Sequence, residues 1–237
     1  MKKRIFSIRL QLIVIGCIVF AGGLFTACKK SNDNSGNTPV AALMAFNLAP
    51  DKSSIGIKLS GSDLVQTPLN YSGFTGSYLP VYPGNRTIEA FDSSNTSFSS
   101  SNNSFEEGKY YSLFVVGNNG SYSNLVVNDN FDSLSAGDQA YVRYINAIPD
   151  SSKPLVNITA GGNNVFHTNA AFSTVSEFAS VPAGDLAISL TNESTINASR
   201  TISLEQKKVY TILLLGNPAA TDSTGKVQIR FIENGGL

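Results

Sequence analysis

The sequence predicts an all-β protein built as two tandem antiparallel β-sandwiches. Three observations carry this: a stretch that returns about 100 residues later, a period-two alternation of apolar residues within each copy, and turn residues that punctuate both copies.

The repeat is legible at three anchors. Phe46-Asn47-Leu48-Ala49-Pro50-Asp51 returns 99 positions later as Ile145-Asn146-Ala147-Ile148-Pro149-Asp150. Val81-Tyr82-Pro83-Gly84 answers to Val181-Pro182-Ala183-Gly184, and the run 104–117 aligns without a gap on 203–216. Three anchors in one order at a nearly constant offset define two copies of one domain of roughly 100 residues. The organisation read from this is a signal segment over 1–27, a tether over 28–40, a first sandwich over 41–133, a linker over 134–139 and a second sandwich over 140–237.

Inside each copy the apolar period is two. Ile55, Ile57 and Leu59 alternate with other residues, as do Leu186, Ile188 and Leu190, and Tyr111, Leu113 and Val115. That is the pattern of half-buried strands, with one face on a core and one in solvent. Pro-Asp, Pro-Gly, Asn-Asn-Gly and Asp-Ser supply the turns, and no helical stripe follows the first 20 residues. About seven short strands per copy suit an immunoglobulin-like sandwich, with a small barrel as the other closure. The Cys-Trp-Cys hallmark of antibody domains is missing, since the chain has no Trp.

The N-terminus reads as an address. Lys2, Lys3, Arg4 and Arg9 precede the apolar run 10–20, and the segment ends Leu24-Phe25-Thr26-Ala27-Cys28. This resembles a bacterial lipoprotein signal, which implies a diacylglyceryl group on Cys28, cleavage before it and acylation of the new amino terminus. Lys29 stands where Asp would signal inner-membrane retention, so the expected address is the outer membrane of the cell envelope. The Cys-Lys-Lys start also looks like lipoproteins of the Bacteroidetes. Residues 29–39 are polar and rich in Asn and Ser, a flexible tether with a reach of about 20 Å.

Removal of the signal leaves 13 Lys and Arg against 17 Asp and Glu, a net charge of −4. Such a surface does not steer toward nucleic acid, and no nucleic-acid partner is expected. With Cys17 removed and Cys28 carrying lipid, neither a disulfide nor a thiolate nucleophile remains.

The anchors resemble the domain-of-unknown-function family 4397, in two tandem copies covering nearly all of the mature chain. Its copies look like a first strand ending in a His/Asn-Ala-x-Pro-Asp turn, a central Val-Pro-Ala-Gly turn and a late Gly-Lys-x-Tyr-Thr strand entry ending in Gly. The second copy matches closely at 146–150, 181–184 and 208–216. The first matches at 47–51, 82–84 and 108–117, with Tyr-Pro-Gly at the central turn. The resemblance implies fold and address; it brings no activity.

Turn chemistry accounts for the recurring residues. Pro50-Asp51 and Pro149-Asp150 suit turns in which Asp bonds the backbone two residues on. Gly84 and Gly184 suit positive φ. Tyr111 and Tyr210, following an acidic turn, are expected to bond back across a corner.

Candidates for chemistry are few. His167 is the lone histidine and has no nucleophile elbow, phosphate loop or zinc motif beside it. No catalytic residue, cofactor or metal set is expected. Tyr71, Phe74, Tyr78 and Tyr82 form an aromatic cluster that reads either as a ligand-stacking face or as surface buried under a second sheet. Asp132-Ser133-Leu134 resembles an O-glycosylation site of exported Bacteroidetes proteins, with Ser133 as acceptor. The reading is a non-enzymatic, lipid-anchored binding, adhesion or assembly module with a glycan or protein ligand. The alternative is an envelope enzyme acting on glycans through a carboxylate pair in an inter-domain cleft.

Overall fold

In each repeat the first strand pairs with two others at once, and this sets the architecture. The computed structural model describes residues 38–236 apart from 136, 151, 193 and 224. The signal segment, Cys28 and all but the last residues of the tether lie outside the described residues.

The first repeat runs β1 (Ala41–Asn47), β2 (Ser54–Leu59), β3 (Ser62–Asp63), β4 (Leu69–Asn70), β5 (Leu79–Val81), β6 (Gly84–Phe91), β7 (Ser97–Phe105), β8 (Tyr110–Asn118) and β9 (Ser121–Asn128). A 3-10 turn at Phe131–Ser133 leads to the second repeat. That repeat runs β10 (Gln139–Asn146), β11 (Leu155–Ala160), β12 (Asn163–Asn169), β13 (Ala179–Pro182), β14 (Gly184–Thr191), β15 (Asn197–Leu204), β16 (Lys208–Leu215) and β17 (Gln228–Gly236).

Each repeat is a two-sheet sandwich. The inner sheets have the orders β5-β1-β8-β9 and β13-β10-β16-β17, and the outer sheets β3-β2-β6-β7 and β12-β11-β14-β15. Pairing is antiparallel except for β1 with β8 and β10 with β16, which are parallel. These partners are joined through the opposite sheet rather than by a hairpin, so no tight turn forces them antiparallel.

The expectation of half-buried strands holds for the outer sheets and for the edge strands of the inner ones, and fails for the four central inner strands. Buried residues run almost without break through β1, β8, β10 and β16. Period two still sorts them. Tyr111, Leu113 and Val115 face the core of their own repeat, whereas Phe114 and Val116 join Met44, Phe46, Leu48, Ile145, Leu213 and Leu215 in a third core. That third core lies between the two inner sheets. The order of layers is therefore outer, inner, inner, outer, and from Pro39 onward the chain forms one compact unit. The two repeats present the same face to each other: Phe46 and Ile145, and Phe114 and Leu213, stand at equivalent positions of the repeat.

The recurring turn residues sit as follows. Gly84 and Gly184 have φ of 93° and 114°. The Tyr111 hydroxyl accepts from the Glu106 N–H at 3.0 Å, and the Tyr210 hydroxyl from the Glu205 N–H at 3.1 Å. Both rings are buried, so each corner ties the turn before a late strand to that strand's first inward side chain.

Candidate functional site

The Asn-x-x-Pro-Asp segments build the end of the molecule remote from the start of β1. Asn47 is fully buried at the end of that strand. Its amide donates to the Lys52 and Leu69 carbonyls at 2.9 and 3.1 Å, and its Oδ1 accepts from the Ala49 N–H. Asn146 repeats the arrangement with the Ala170 carbonyl and the Ile148 N–H. This Asn, rather than the Asp, organises both turns; the repeat makes it visible, but turn chemistry alone assigns it no role.

The two Asp residues differ. Asp150 Oδ1 accepts from the Ser152 N–H, two residues on, at 2.5 Å. Asp51 departs from that expectation. Its Oδ2 accepts from the Asn119 N–H at 2.9 Å and from the Tyr122 hydroxyl, tying the turn to the β8–β9 hairpin.

Beside Asp51 a cleft of about 600 Å³ opens between the repeats. Asp51, Asn70, Tyr71 and Ser72 line it from the first repeat, Gln228 and Arg230 from the second. Arg230 spans it, donating through Nη1 to Ser72 Oγ at 2.6 Å and through Nε to Gln228 Oε1 at 3.1 Å. The Tyr71 hydroxyl is buried at its wall without a hydrogen-bond partner among the described residues. The Gly216 amide, Arg230 and Asp222 are its polar neighbours, and burial pushes its pKa up to about 12.

The aromatic cluster does not form one face. Phe74 stacks on Phe46 in the third core, ring centroids 5.5 Å apart. Tyr78 lies in the same seam, and Tyr71 lines the cleft. Only Tyr82, 65% exposed, is open to solvent. The packing of the second repeat over the inner sheet separates them. Elsewhere, Ser133 is exposed in the 3-10 turn and donates to the Asn130 carbonyl. His167 Nδ1 lies 3.0 Å from Asn157 Oδ1 on the exposed side of the second outer sheet.

Sequence reasoning missed the polar network in the seam. Arg143 Nη1 donates to Asp129 Oδ1 at 2.6 Å, its Nη2 to Ser112 Oγ at 2.8 Å and its Nε to Thr211 Oγ1 at 3.0 Å. Ser112 and Tyr78 donate to Asp129 Oδ2, Thr211 donates to Asn234 Oδ1, and Asn234 Nδ2 donates back to the Tyr78 hydroxyl. The circuit is closed. The Phe178 ring lies 4.5 Å from the guanidinium, and burial followed by the Asp129 charge raises the Tyr78 pKa. The available signal is a single Arg in the apolar run of β10, where the first repeat has Met44.

Models of known families match the chain twice with one family, the domain of unknown function DUF4397, over residues 41–153 and 140–234. The chain belongs to the DUF4397 family. None of the curated proteins matches this DUF4397 protein. Among solved structures it is similar to a streptococcal virulence factor described for alpha-glucan binding, at 12% identity and a TM-score of 0.24, over 77% of this chain and 100% of the other. It is also similar to a candidate cell adhesion protein from Bacteroides uniformis, at 9% identity and a TM-score of 0.23, over 82% of this chain and 98% of the other.

Proposed function

We propose that this DUF4397 protein is a non-enzymatic binding module of the bacterial cell envelope, anchored in the outer membrane by lipid on Cys28, with its ligand held in the cleft between the repeats. The observation that carries the reading is the position and chemistry of that cleft. The cleft opens beyond the end of β1, seven residues of strand, about 23 Å, from the point where that strand begins.

The chemistry of the cleft favours a neutral glycan. Asp51 and Arg230 offset each other in charge, while carboxylate, guanidinium, amides and hydroxyls offer both acceptors and donors. Tyr71 adds a half-buried ring. A polyol uses all of these at once, whereas a charged ligand would leave one of the two ions opposed. Catalysis is not needed to account for the site: Asp51 is held by Tyr122 and Asn119 as a fixed acceptor.

The test is a glycan array probed with soluble chain from residue 29 onward, followed by titration of the hits. Arg230→Ala and Asp51→Asn are expected to weaken binding at least tenfold, about 1.4 kcal/mol. Binding unchanged in both variants removes the cleft from the reading, and cleavage of the glycan during incubation favours the envelope enzyme instead. For the anchor, wild-type chain is expected to incorporate labelled palmitate in cells and Cys28→Ala to incorporate none.

A further inference from the structure

Among the described residues, three large hydrophobic side chains are exposed: Val40 at 42%, Tyr82 at 65% and Tyr110 at 43%. They are not scattered. Ala42 stands opposite Pro80 on one side and Tyr110 on the other. Two residues back along the same face stands Val40, and two residues on from Pro80 stands Tyr82. Tyr82, Pro80, Val40, Ala42 and Tyr110 thus form two adjacent rows at the rim of the first inner sheet, beyond the part covered by the second repeat.

The rim is rigidly backed. Tyr110 meets Tyr78 edge-on at 5.1 Å and Phe131 at 5.3 Å. Arg86 donates to the Tyr82 and Pro83 carbonyls, with its guanidinium 6.0 Å from the Tyr82 ring centroid. Beside Tyr110, Lys109 is paired with Asp132 at 2.6 Å. Rings with polar tips on an apolar base, flanked by the Lys109–Asp132 pair and by a single arginine held on backbone carbonyls, suit a water–hydrocarbon boundary rather than a strongly charged partner.

What covers the rim follows from where the chain enters. Val40 is both a member of the strip and the residue that leads into β1, and Cys28 lies twelve residues before it. Twelve residues span at most about 43 Å when fully extended and about 20 Å on average. We infer that this strip, centred on Tyr82 and Tyr110, rests on the lipid headgroup boundary of the membrane that holds the anchor. The inference rests on the lipid-anchored reading above. Contact is made by aromatic insertion and is independent of anionic lipid, because the rim presents no uncompensated basic cluster among the described residues. It also orients the molecule, directing the inter-repeat cleft away from the bilayer.

The absence of Trp makes the test direct. Full-length lipoprotein carrying Tyr82→Trp is reconstituted in phosphatidylcholine vesicles, with His167→Trp on the outer sheet as the remote control. In the Tyr82→Trp protein, emission is expected to shift to the blue and to be quenched by lipid brominated near the top of the acyl chain, equally with and without anionic lipid. The His167→Trp protein is expected to be unaffected. Protein that floats with the vesicles yet shows no quenching at position 82 overturns the inference and leaves the anchor standing. Failure to float overturns the anchored reading and the inference together. A blue shift without vesicles, accompanied by dimer in sedimentation, assigns the strip to a second copy of the chain and overturns the membrane contact.

Discussion

Arg143 and Asp129 meet at 2.6 Å in the seam between the repeats, their side chains 3% and 0% exposed. Burying two charges is costly, and attraction offsets that cost only when the remaining donors and acceptors are also satisfied. Here Ser112, Thr211 and Tyr78 satisfy them. Arg143→Ala should therefore destabilise the protein by about 3–5 kcal/mol, because Asp129 is left as a buried, uncompensated charge. Urea unfolding checks this. Combining Arg143→Met, the residue of the first repeat, with Asp129→Asn should recover most of the loss, since no lone charge remains.

The third core joins the two sandwiches, so they should not melt separately. Calorimetry of the wild type is expected to show one transition, with equal calorimetric and van't Hoff enthalpies. Phe114→Ala, which empties the seam rather than either sandwich core, should cost about 3–5 kcal/mol. It should also be the substitution that splits the transition in two. Two transitions already present in the wild type would show that the seam does not couple the repeats.

Tyr71 supplies a pH prediction. Its folded pKa of about 12 lies above the ordinary value of 10.0, so the folded state holds the proton more tightly than the unfolded state. The associated stability is complete below pH 10 and is lost as the pH rises toward 12. Tyr71→Phe should flatten that alkaline decline by about 1–2 kcal/mol, discounted for partial exposure. At about pH 7 it should be neutral or slightly stabilising, because it removes a buried hydroxyl without a partner. Unfolding both proteins near neutral pH and again at about pH 11, between the two pKa values, decides it.

The two tyrosine corners should behave alike. Tyr111→Phe and Tyr210→Phe each leave one turn N–H without its acceptor and are expected to cost about 0.5–1.5 kcal/mol. Hydrogen exchange at the turn amides of Glu106 and Glu205 should speed up in the matching variant only. Equal exchange in variant and wild type would show that the hydroxyl contact is not formed in solution.

Local chemistry is legible in the chain, and long-range pairing is not. The alternation of Tyr111, Leu113 and Val115 identifies a strand and its core face, because side chains in a strand change sides at every residue. The same alternation makes Phe114 and Val116 a second face but does not say what covers it. For that reason the aromatic cluster admits two readings from sequence. The second repeat decides between them residue by residue, lying over Phe74 and Tyr78 while leaving Tyr82 exposed.

Two copies of one all-β domain, the strand periods and the turn positions are written in the chain, because these depend on residues close in the chain or repeated at a fixed offset. That the copies share a core emerges only once the sheets are packed. The same holds for the Asp129–Arg143 circuit and for Arg230 reaching Ser72, 158 residues away. Those contacts follow from the angle and register at which two sheets pack, and that is set by the whole of both faces rather than by any local run of residues.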